Sequence, residues 1–199
     1  MCLTNSSMLA LPDVTLIALT NKDFAGHKRA VDISCEGITW GDVKIIWDEK
    51  MSSIDDWNKK IIYDLHRYVF TDYCMLIHAD GYVIHPELWR PEFLQYDFVG
   101  APWPLPQDDY SYRDELGQLV RVGNSVSLRS KRLMKLAAMR PWQSYYGNTN
   151  EDGFISCHNR NWLERQGCRF APLQVAVHFS KEHTIPENKD LQTFAFHSL

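Results

Sequence analysis

Three short apolar runs, separated by amphipathic segments, constrain the fold more than any other feature of this sequence. Val14–Thr20, Val43–Trp47 and Tyr73–Ile77 are almost continuously apolar and rich in β-branched or aromatic residues. Such runs are typical of strands covered on both faces. Helical patterns lie between them, at Phe24–Cys35 and after the capping residue Ser53. This order predicts an α/β fold with a mainly parallel central sheet flanked by crossover helices.

The second half of the chain is less regular. Asp97–Ala101 is expected to form a short strand, and Arg169–Pro172 a last edge strand. Helices are predicted over Ser130–Arg140 and Asp152–Gln166, since the first is ended by a proline and the second by a glycine. The polar, acidic segment Gln107–Gln118 is expected to be a surface loop.

Composition limits the class of protein. The 199 residues carry a formal net charge of -4, so no broad cationic field favours binding to nucleic acid. The five cysteines include no C-x-x-C pair, which favours reduced thiols and a cytoplasmic location. No stretch approaches the roughly 20 apolar residues of a membrane span. Without repeats or linkers, residues 1–199 are predicted to form one domain.

Polar residues follow the predicted strands. Thr20, Asn21 and Asp48 come after the first two, and His78 and Asp80 after the third. Ligands of parallel sheets bind at the carboxyl ends of the strands. There, His78 and Asp80 can converge on one cation, because a carboxylate suits Mg²⁺ or Mn²⁺ and imidazole suits Mn²⁺ better than Mg²⁺. The alternative is an Asp-Gly turn beside a packed histidine.

Several motifs occur in a fixed order along the chain. They are YDLHRYVFTDYCMLIHADGYVIHPELW (63–89), YDFVGAPWP (96–104), RVGNSVSLRS (121–130), NED (150–152), FSKEH (179–183) and FAFH (194–197). Together they resemble a short bacterial and fungal family, formerly of unknown function, that is glycosyltransferase-like. The similarity extends over about residues 13–197. It implies a GT-A-like fold and transfer of a sugar from a nucleotide-diphosphate sugar to a glycan or other hydroxyl acceptor.

The resemblance also implies a metal site. GT-A enzymes hold Mn²⁺ or Mg²⁺ with a strand-end D-x-D motif, and the sequence HAD, from His78 to Asp80, stands in that place. Asp80 is therefore the expected ligand, His78 a departure from the pattern, and His197 in FAFH the match to a C-terminal ligand. The cation would stabilise the charge of the departing diphosphate. Some GT-A enzymes use basic side chains instead, for which Arg121 and Arg129 are candidates.

Other roles follow from the same resemblance. In an inverting transfer one carboxylate takes the acceptor proton, and Asp152, with Glu151 as the second choice, resembles that base. Both are equally suited to the first turn of any helix. Gly123 and Asn124 are expected to contact sugar hydroxyls. Trp103 is expected either to stack on an acceptor sugar or to pack in the core.

Donor binding is expected at the ends of the first two strands. The resemblance implies that the base and ribose bind at Thr20, Asn21 and Asp48. Two other classes stay open on the sequence alone. One is a metal-dependent hydrolase, against which stands the lack of a dense ligand motif such as H-E-x-x-H. The other is a non-catalytic carbohydrate-binding module with tryptophans as platforms.

Overall fold

The computed structural model describes residues 8–143 and 150–198 as a layered arrangement of strands and helices. The strands are β1 (Leu9–Thr20), β2 (Ile38–Trp47), β3 (Tyr73–Ile77), β4 (Phe98–Pro102), β5 (Val122–Ser130), β6 (Ser180–Lys181) and β7 (Ala195–Phe196). The α-helices are α1 (Phe24–Ser34), α2 (Ile54–Tyr63), α3 (Leu65–Tyr68), α4 (Lys131–Ala137), α5 (Glu151–Gly153), α6 (Arg160–Arg165) and α7 (Leu173–Phe179). A π-helical turn, Phe154–His158, joins α5 to α6.

Five strands form the central sheet in the order β2-β1-β3-β5-β4. β1 pairs in parallel with both β2 and β3, whereas β5 runs antiparallel to its neighbours β3 and β4. Four strands thus point one way and β5 the other, which confirms the predicted mainly parallel sheet. A separate pair, β6 and β7, is parallel.

The sheet is buried on both faces, as its continuous apolar strands predict. Alternate residues of β1 enter different clusters, with Leu16 and Ala18 in one and Ile17 and Leu19 in the other. Side chains of a strand point alternately to its two faces, so these clusters are the cores above and below the sheet. An apolar run without polar alternation is what this two-sided burial requires.

Helix α2 begins as its sequence predicts. The Ser53 side chain accepts a hydrogen bond from the Asp56 backbone, and the Asp56 side chain accepts one in return from the Ser53 backbone. This capping box satisfies amide groups that the first helical turn leaves unpaired. The helix packs through Ile61 and Ile62 and places the Trp57 ring at the end of β1, where Nε1 donates to the Leu19 carbonyl at 3.0 Å.

The second half departs from the sequence-based expectations at two points and adds a strand that they do not include. This strand is Val122–Ser130, and the polar Gly-Asn-Ser sequence within it is untypical of a strand. Arg169–Pro172 is no edge strand, since only a bridge between Phe170 and Phe98 forms, and helix α7 follows at once. The helix expected over 152–166 is divided by Asn159, whose side chain and backbone both donate to the Phe154 carbonyl.

The topology brings several chain segments to one edge of the sheet, here called the site edge. β1, β2, β3 and β4 end there, and the antiparallel β5 begins there, as the pairs Thr20–Trp47, Ala18–Ile77 and Ala101–Gly123 show. The strand-end residues that the sequence singles out therefore share this edge. Among the described helices, none has the length and apolarity to cross a membrane.

Candidate functional site

The turn after β3 lies directly beneath the C-terminal segment. The backbone of His78 donates to the Gly81 carbonyl at 2.7 Å and closes the turn. Ser198 holds the turn from above, since its backbone donates to the Asp80 carbonyl at 2.8 Å and its Oγ donates to Asp80 Oδ2 at 3.0 Å. A Cβ at Gly81 would lie 2.6 Å from Cδ2 of His197. Glycine at this position is therefore what permits the close docking of the C-terminal segment.

His197 joins the turn to two further polar residues. Its Nε2 lies 3.7 Å from Asp80 Oδ1, and its Nδ1 lies 3.2 Å from Glu182 Oε1 and 3.3 Å from Asn124 Nδ2. We call Asp80, Asn124, Glu182 and His197 the polar cluster. The sequence analysis predicted roles for Asp80, Asn124 and His197. It predicted none for Glu182, although Glu182 lies in the FSKEH motif.

Contacts within the polar cluster favour the charged forms of its titratable side chains. Burial opposes the charged form of His197, but the hydrogen bond and charge of Glu182, with Asp80 and Asp152 nearby, outweigh it and raise the pKa of the imidazole. Burial likewise opposes ionisation of Glu182 and Asp80. Contacts with His197, together with Asn124 at Glu182 and Ser198 at Asp80, nevertheless lower the pKa of both carboxyls. Both carboxylates are thus stabilised in the ionised form.

His78 is partly buried behind the polar cluster. Its ring lies between those of Trp57 and His197, with centroids 5.2 and 5.1 Å away. Burial, and then the neighbouring His197, lower the pKa of His78 to about 3, so the ring is neutral. This packing supports the interpretation of His78 as a packed histidine beside a turn. Within residues 8–143 and 150–198, no three His, Cys, Asp or Glu side chains are grouped so that they could hold a metal ion.

Asp152 lies at the start of α5, half-buried at the site edge. Burial and the adjacent carboxylate of Glu151 raise the pKa of Asp152 to about 7, and Glu182 adds to this effect. Its Oδ1 accepts a hydrogen bond from the Gly153 backbone at 2.8 Å. The electrostatic influence of Asp152 extends to His197, Glu182 and the Tyr112 hydroxyl. Asp152 therefore shares an environment with the polar cluster.

Glu151 has a different position. Its side chain is fully buried and forms an ion pair with Arg129 of β5 at 2.7 Å, and Arg129 is itself 1% exposed. A carboxylate enclosed in this way has no path to an acceptor sugar, so the expectation of Glu151 as an alternative base is not supported by its position. The candidate arginine Arg129 is likewise enclosed. Residues 144–149, just before the NED sequence, lie outside the described part of the chain.

The tryptophan expected to stack on an acceptor sugar lies in the core. Trp103 is 5% exposed and stacks on Tyr112 with ring centroids 4.6 Å apart. Gly123 lies under the same ring, where a Cβ would come within 1.8 Å of Trp103. The alternative of a packed tryptophan is therefore correct, and Gly123 permits this close approach. Asn124 has a left-handed backbone (φ 86°), which asparagine tolerates well.

The expected donor-binding residues are engaged in local contacts. The Thr20 hydroxyl and the Lys22 backbone form reciprocal hydrogen bonds, and Asn21 donates to the Met51 carbonyl. Asp48 pairs with Lys60 at 2.7 Å, and this hydrogen bond is the main cause that lowers the pKa of Asp48. These contacts fix the loops after β1 and β2 at the site edge.

Two further features are not part of the polar cluster. Arg121 donates to the Trp103 carbonyl at 3.0 Å and pairs with Glu187 at 3.3 Å. A cavity of about 500 Å³ opens on α4 and is lined in part by Lys131 and Lys135. That helix follows the carboxyl end of β5, at the edge of the sheet opposite the site edge. The cavity is therefore remote from Asp80 and Asp152.

Comparison with known proteins agrees with this architecture. Among solved structures, the chain is similar to a glycosyltransferase involved in the glycosylation of the major capsid of PBCV-1, with a TM-score of 0.61 and 11% sequence identity. The match covers 92% of this chain and 91% of that one. The fold is thus of the glycosyltransferase type. At 11% sequence identity the similarity concerns the fold alone.

Sequence comparison identifies the family. Residues 44–197 match the model of a family described as a protein of unknown function, DUF5672. The chain belongs to this family. A search of curated proteins finds no match.

Proposed function

We propose that the protein is an inverting glycosyltransferase that moves a sugar from a nucleotide-diphosphate sugar to a hydroxyl of a glycan or another acceptor. The observation that carries this proposal is the carboxylate of Asp152, with a pKa near neutrality, beside the polar cluster at one sheet edge. Ligands of such sheets bind at this edge. The likeness to a glycosyltransferase fold supports the same reaction class.

In this proposal Asp152 is the general base. As the acceptor oxygen attacks the anomeric carbon, Asp152 takes the hydroxyl proton, and the bond between that carbon and the phosphate oxygen breaks. The bonding electrons leave with the nucleotide diphosphate. A base is most effective when its pKa is close to the working pH. The burial and the neighbouring Glu151 that raise the pKa of Asp152 therefore suit it to this step.

A divalent cation, Mn²⁺ or Mg²⁺, would stabilise the charge on the departing diphosphate when bound. Asp80 and His197 are the residues that would hold it, since an ionised carboxylate and an imidazole nitrogen face each other at 3.7 Å. Two protein ligands fit a cation that keeps waters and binds substrate phosphates. His78 supports the His197 ring by packing. In the same proposal the base and ribose bind near Thr20, Asn21 and Asp48.

A donor-turnover assay tests the reaction class. Thermal-shift screening of nucleotide sugars, with and without Mn²⁺, identifies the donor that stabilises the folded protein. With that donor, release of nucleotide diphosphate that depends on an acceptor supports a transferase. Cleavage of a glycan without donor would instead indicate a hydrolase, and binding without turnover would indicate a carbohydrate-binding module.

Replacement of Asp80 with Ala is expected to abolish the enhancement of nucleotide-diphosphate binding by Mn²⁺. The reason is that the variant removes the carboxylate proposed to hold the cation, while a side chain 67% exposed contributes little to the core. Isothermal titration of UDP and GDP, each with and without Mn²⁺, measures this effect. Asp190→Ala, at another exposed carboxylate, is the matched control. Equal Mn²⁺ enhancement in wild type and Asp80→Ala would rule out the ligand assignment.

The loop Gln107–Gln118 is expected to become protected when donor and cation bind. Within this loop, the Tyr112 ring stacks on Trp103 next to the site, whereas the side chains of Tyr110 and Leu116 are exposed. Closing loops keep water away from a reactive donor. Chymotrypsin cleavage after Tyr110 and Leu116 should therefore slow when donor and Mn²⁺ are added. Cleavage at Phe70, 78% exposed at the opposite edge, is the internal control. Unchanged cleavage of the loop would contradict closure.

A further inference from the structure

The cavity on α4, of about 500 Å³, has a lining that the proposed reaction does not use. The described residues around it are three cations, one apolar residue and one amide: Lys131, Arg132, Lys135, Leu136 and Gln166. No carboxylate is among these lining residues. The cavity therefore presents concentrated positive charge on a chain whose formal net charge is -4.

The guanidinium of Arg132 is fixed beside this cavity by uncharged partners. Its two terminal nitrogens donate to the carbonyls of Gln166 and Gly167, the second at 3.1 Å. Gly167 has a φ of 84°, and a Cβ there would lie 2.8 Å from a terminal nitrogen of Arg132. Glycine thus permits both the left-handed backbone and the close approach of the guanidinium. Because both acceptors are carbonyls, they orient the guanidinium without neutralising its charge.

The two lysines of the cavity add to the same field. Lys131 and Lys135 are four residues apart on α4, so they lie on the same side of the helix and repel each other. Their charge is felt at His66 of α3. Burial lowers the pKa of His66 first, followed by the charges of Arg67, Lys135 and Lys131, and Asp64 acts in the opposite direction. The positive potential therefore extends from α4 to α3.

The aromatic ring of Phe70 lies next to these cations and is 78% exposed. The Lys44 ammonium lies 4.5 Å from the ring centroid, and the Lys131 ammonium lies 5.6 Å from it. Phe70 comes shortly before β3, and Lys131 directly follows β5. Since Tyr73 pairs with Ser130 there, both side chains belong to the edge of the sheet opposite the site edge.

Carboxylates near this edge offset only part of the positive charge. Asp42 lies 2.6 Å from Lys44, and Asp64 lies 3.4 Å from Lys60. Asp72 is exposed, and its backbone carbonyl accepts a hydrogen bond from the backbone of residue 131. The three cations that line the cavity outnumber this remaining carboxylate. The surface around the cavity is therefore cationic.

We call the cations and the aromatic ring on this side the basic face: Lys44, Arg67, Phe70, Lys131, Arg132 and Lys135. We propose that the basic face docks on the surface of an anionic lipid bilayer. Ammonium and guanidinium groups are attracted to anionic headgroups, and an apolar ring is stabilised at the boundary between headgroups and acyl chains. A soluble anion would pair with the cations but leave the Phe70 ring in water. Docking at this edge leaves the site edge, with Asp80 and Asp152, open to the aqueous phase.

Vesicle flotation tests the inference without donor or Mn²⁺, so its outcome is separate from that of the proposed reaction. Wild type should bind vesicles of phosphatidylcholine mixed equally with phosphatidylglycerol, but not phosphatidylcholine alone. Added salt should release it, because salt screens exposed charges. Each lysine near an anionic surface contributes about a five-fold factor, so Lys131→Gln/Lys135→Gln should weaken binding by about 30-fold. Phe70→Ala should weaken it by roughly 10-fold, through loss of the apolar ring.

Matched variants separate the basic face from general charge and exposure. Lys28→Gln/Lys189→Gln removes the same charge from two lysines that are 57% and 65% exposed elsewhere. Leu105→Ala shortens an apolar side chain that is 63% exposed after β4. Both should bind vesicles like wild type, and thermal unfolding without lipid should show that every variant is folded.

Several results would overturn the inference. They are wild-type protein that ignores the mixed vesicles, equal binding to both kinds of vesicle, and a loss in the matched variants as large as in the basic-face variants. Stabilisation by inorganic pyrophosphate without vesicle binding would point to a soluble anion instead. Binding to polyglutamate without vesicle binding would point to an acidic protein partner.

Discussion

Asp152→Asn is expected to lower turnover by about 10²–10⁴-fold, the usual contribution of a general base, with donor affinity nearly unchanged. Asparagine keeps the size of the side chain and an oxygen that can accept from the Gly153 backbone, but it cannot take a proton. Because a base acts on the acceptor, the loss should appear in kcat and not in donor binding. Steady-state kinetics and donor titration on the same preparation measure the two quantities.

The pH dependence has a defined sign. Burial and Glu151 raise the pKa of Asp152 to about 7, and only the ionised form accepts a proton. Turnover should therefore rise with pH through about 7, and this limb should disappear in Asp152→Asn. Asp55→Asn, at the first turn of α2, is the matched control and should keep both rate and limb. Near-normal turnover in Asp152→Asn would leave Asp152 as a helix-start residue only.

The pH dependence of the free energy of unfolding should also reflect the ionisation of Asp152. The folded-state pKa of Asp152 lies above the unfolded value of about 3.9, so ionisation is disfavoured in the folded state. Its contribution to the free energy of unfolding is present below about pH 4 and is lost as the pH rises through about 7. Asp152→Asn should therefore be at least as stable as wild type at pH 8. A stabilising substitution that removes activity is typical of a functional site.

Much of the first half of the fold was predictable because local signals and tertiary packing agree there. The run Tyr73–Ile77 is apolar without interruption, and the structure buries it in the sheet as β3 with those bounds. Ser53 caps α2, as its residue type predicts, and the Asp56 side chain completes the cap. In each case the residues that determine the element lie within it. No distant partner was needed to identify them.

The second half was harder to predict because tertiary contacts override local patterns. In strand β5, Asn124 has a left-handed backbone conformation. The adjacent Gly123 resembles a turn residue in the sequence, but in the structure its missing side chain leaves space for the Trp103 ring. The same strand carries Arg129, a buried charged residue whose guanidinium pairs with the carboxylate of Glu151. Neither partner is close in sequence, so the pattern alone suggests a loop.

The candidate site shows the same limit. Asp80 could be singled out because it ends a strand, and His197 through a family resemblance. Glu182 could not be singled out, because its contact with His197 forms only when β6 and β7 pair. Asp152 was placed by resemblance alone. What the structure adds is the burial and the neighbouring Glu151 that raise its pKa.

Arg129→Met is expected to destabilise the fold by about 3–5 kcal/mol, the usual cost of leaving one member of a buried ion pair without its partner. Arg129 and Glu151 are 1% and 0% exposed and lie 2.7 Å apart. Methionine replaces the guanidinium with an apolar side chain, so the Glu151 carboxylate is left in the core without its partner. Urea unfolding at neutral pH measures the loss. For a chain of this size the melting temperature should fall by roughly 10 °C.

Two further variants separate the lost ion pair from lost packing. The double variant Arg129→Met/Glu151→Met removes both charges and should recover most of the stability, because a buried pair replaced by apolar residues is often neutral. Arg160→Met breaks the more exposed pair with Glu164 and should cost about 1 kcal/mol or less. A loss that the double variant does not relieve would show that Arg129 stabilises the sheet by packing against Phe98, over whose ring it lies at 5.6 Å.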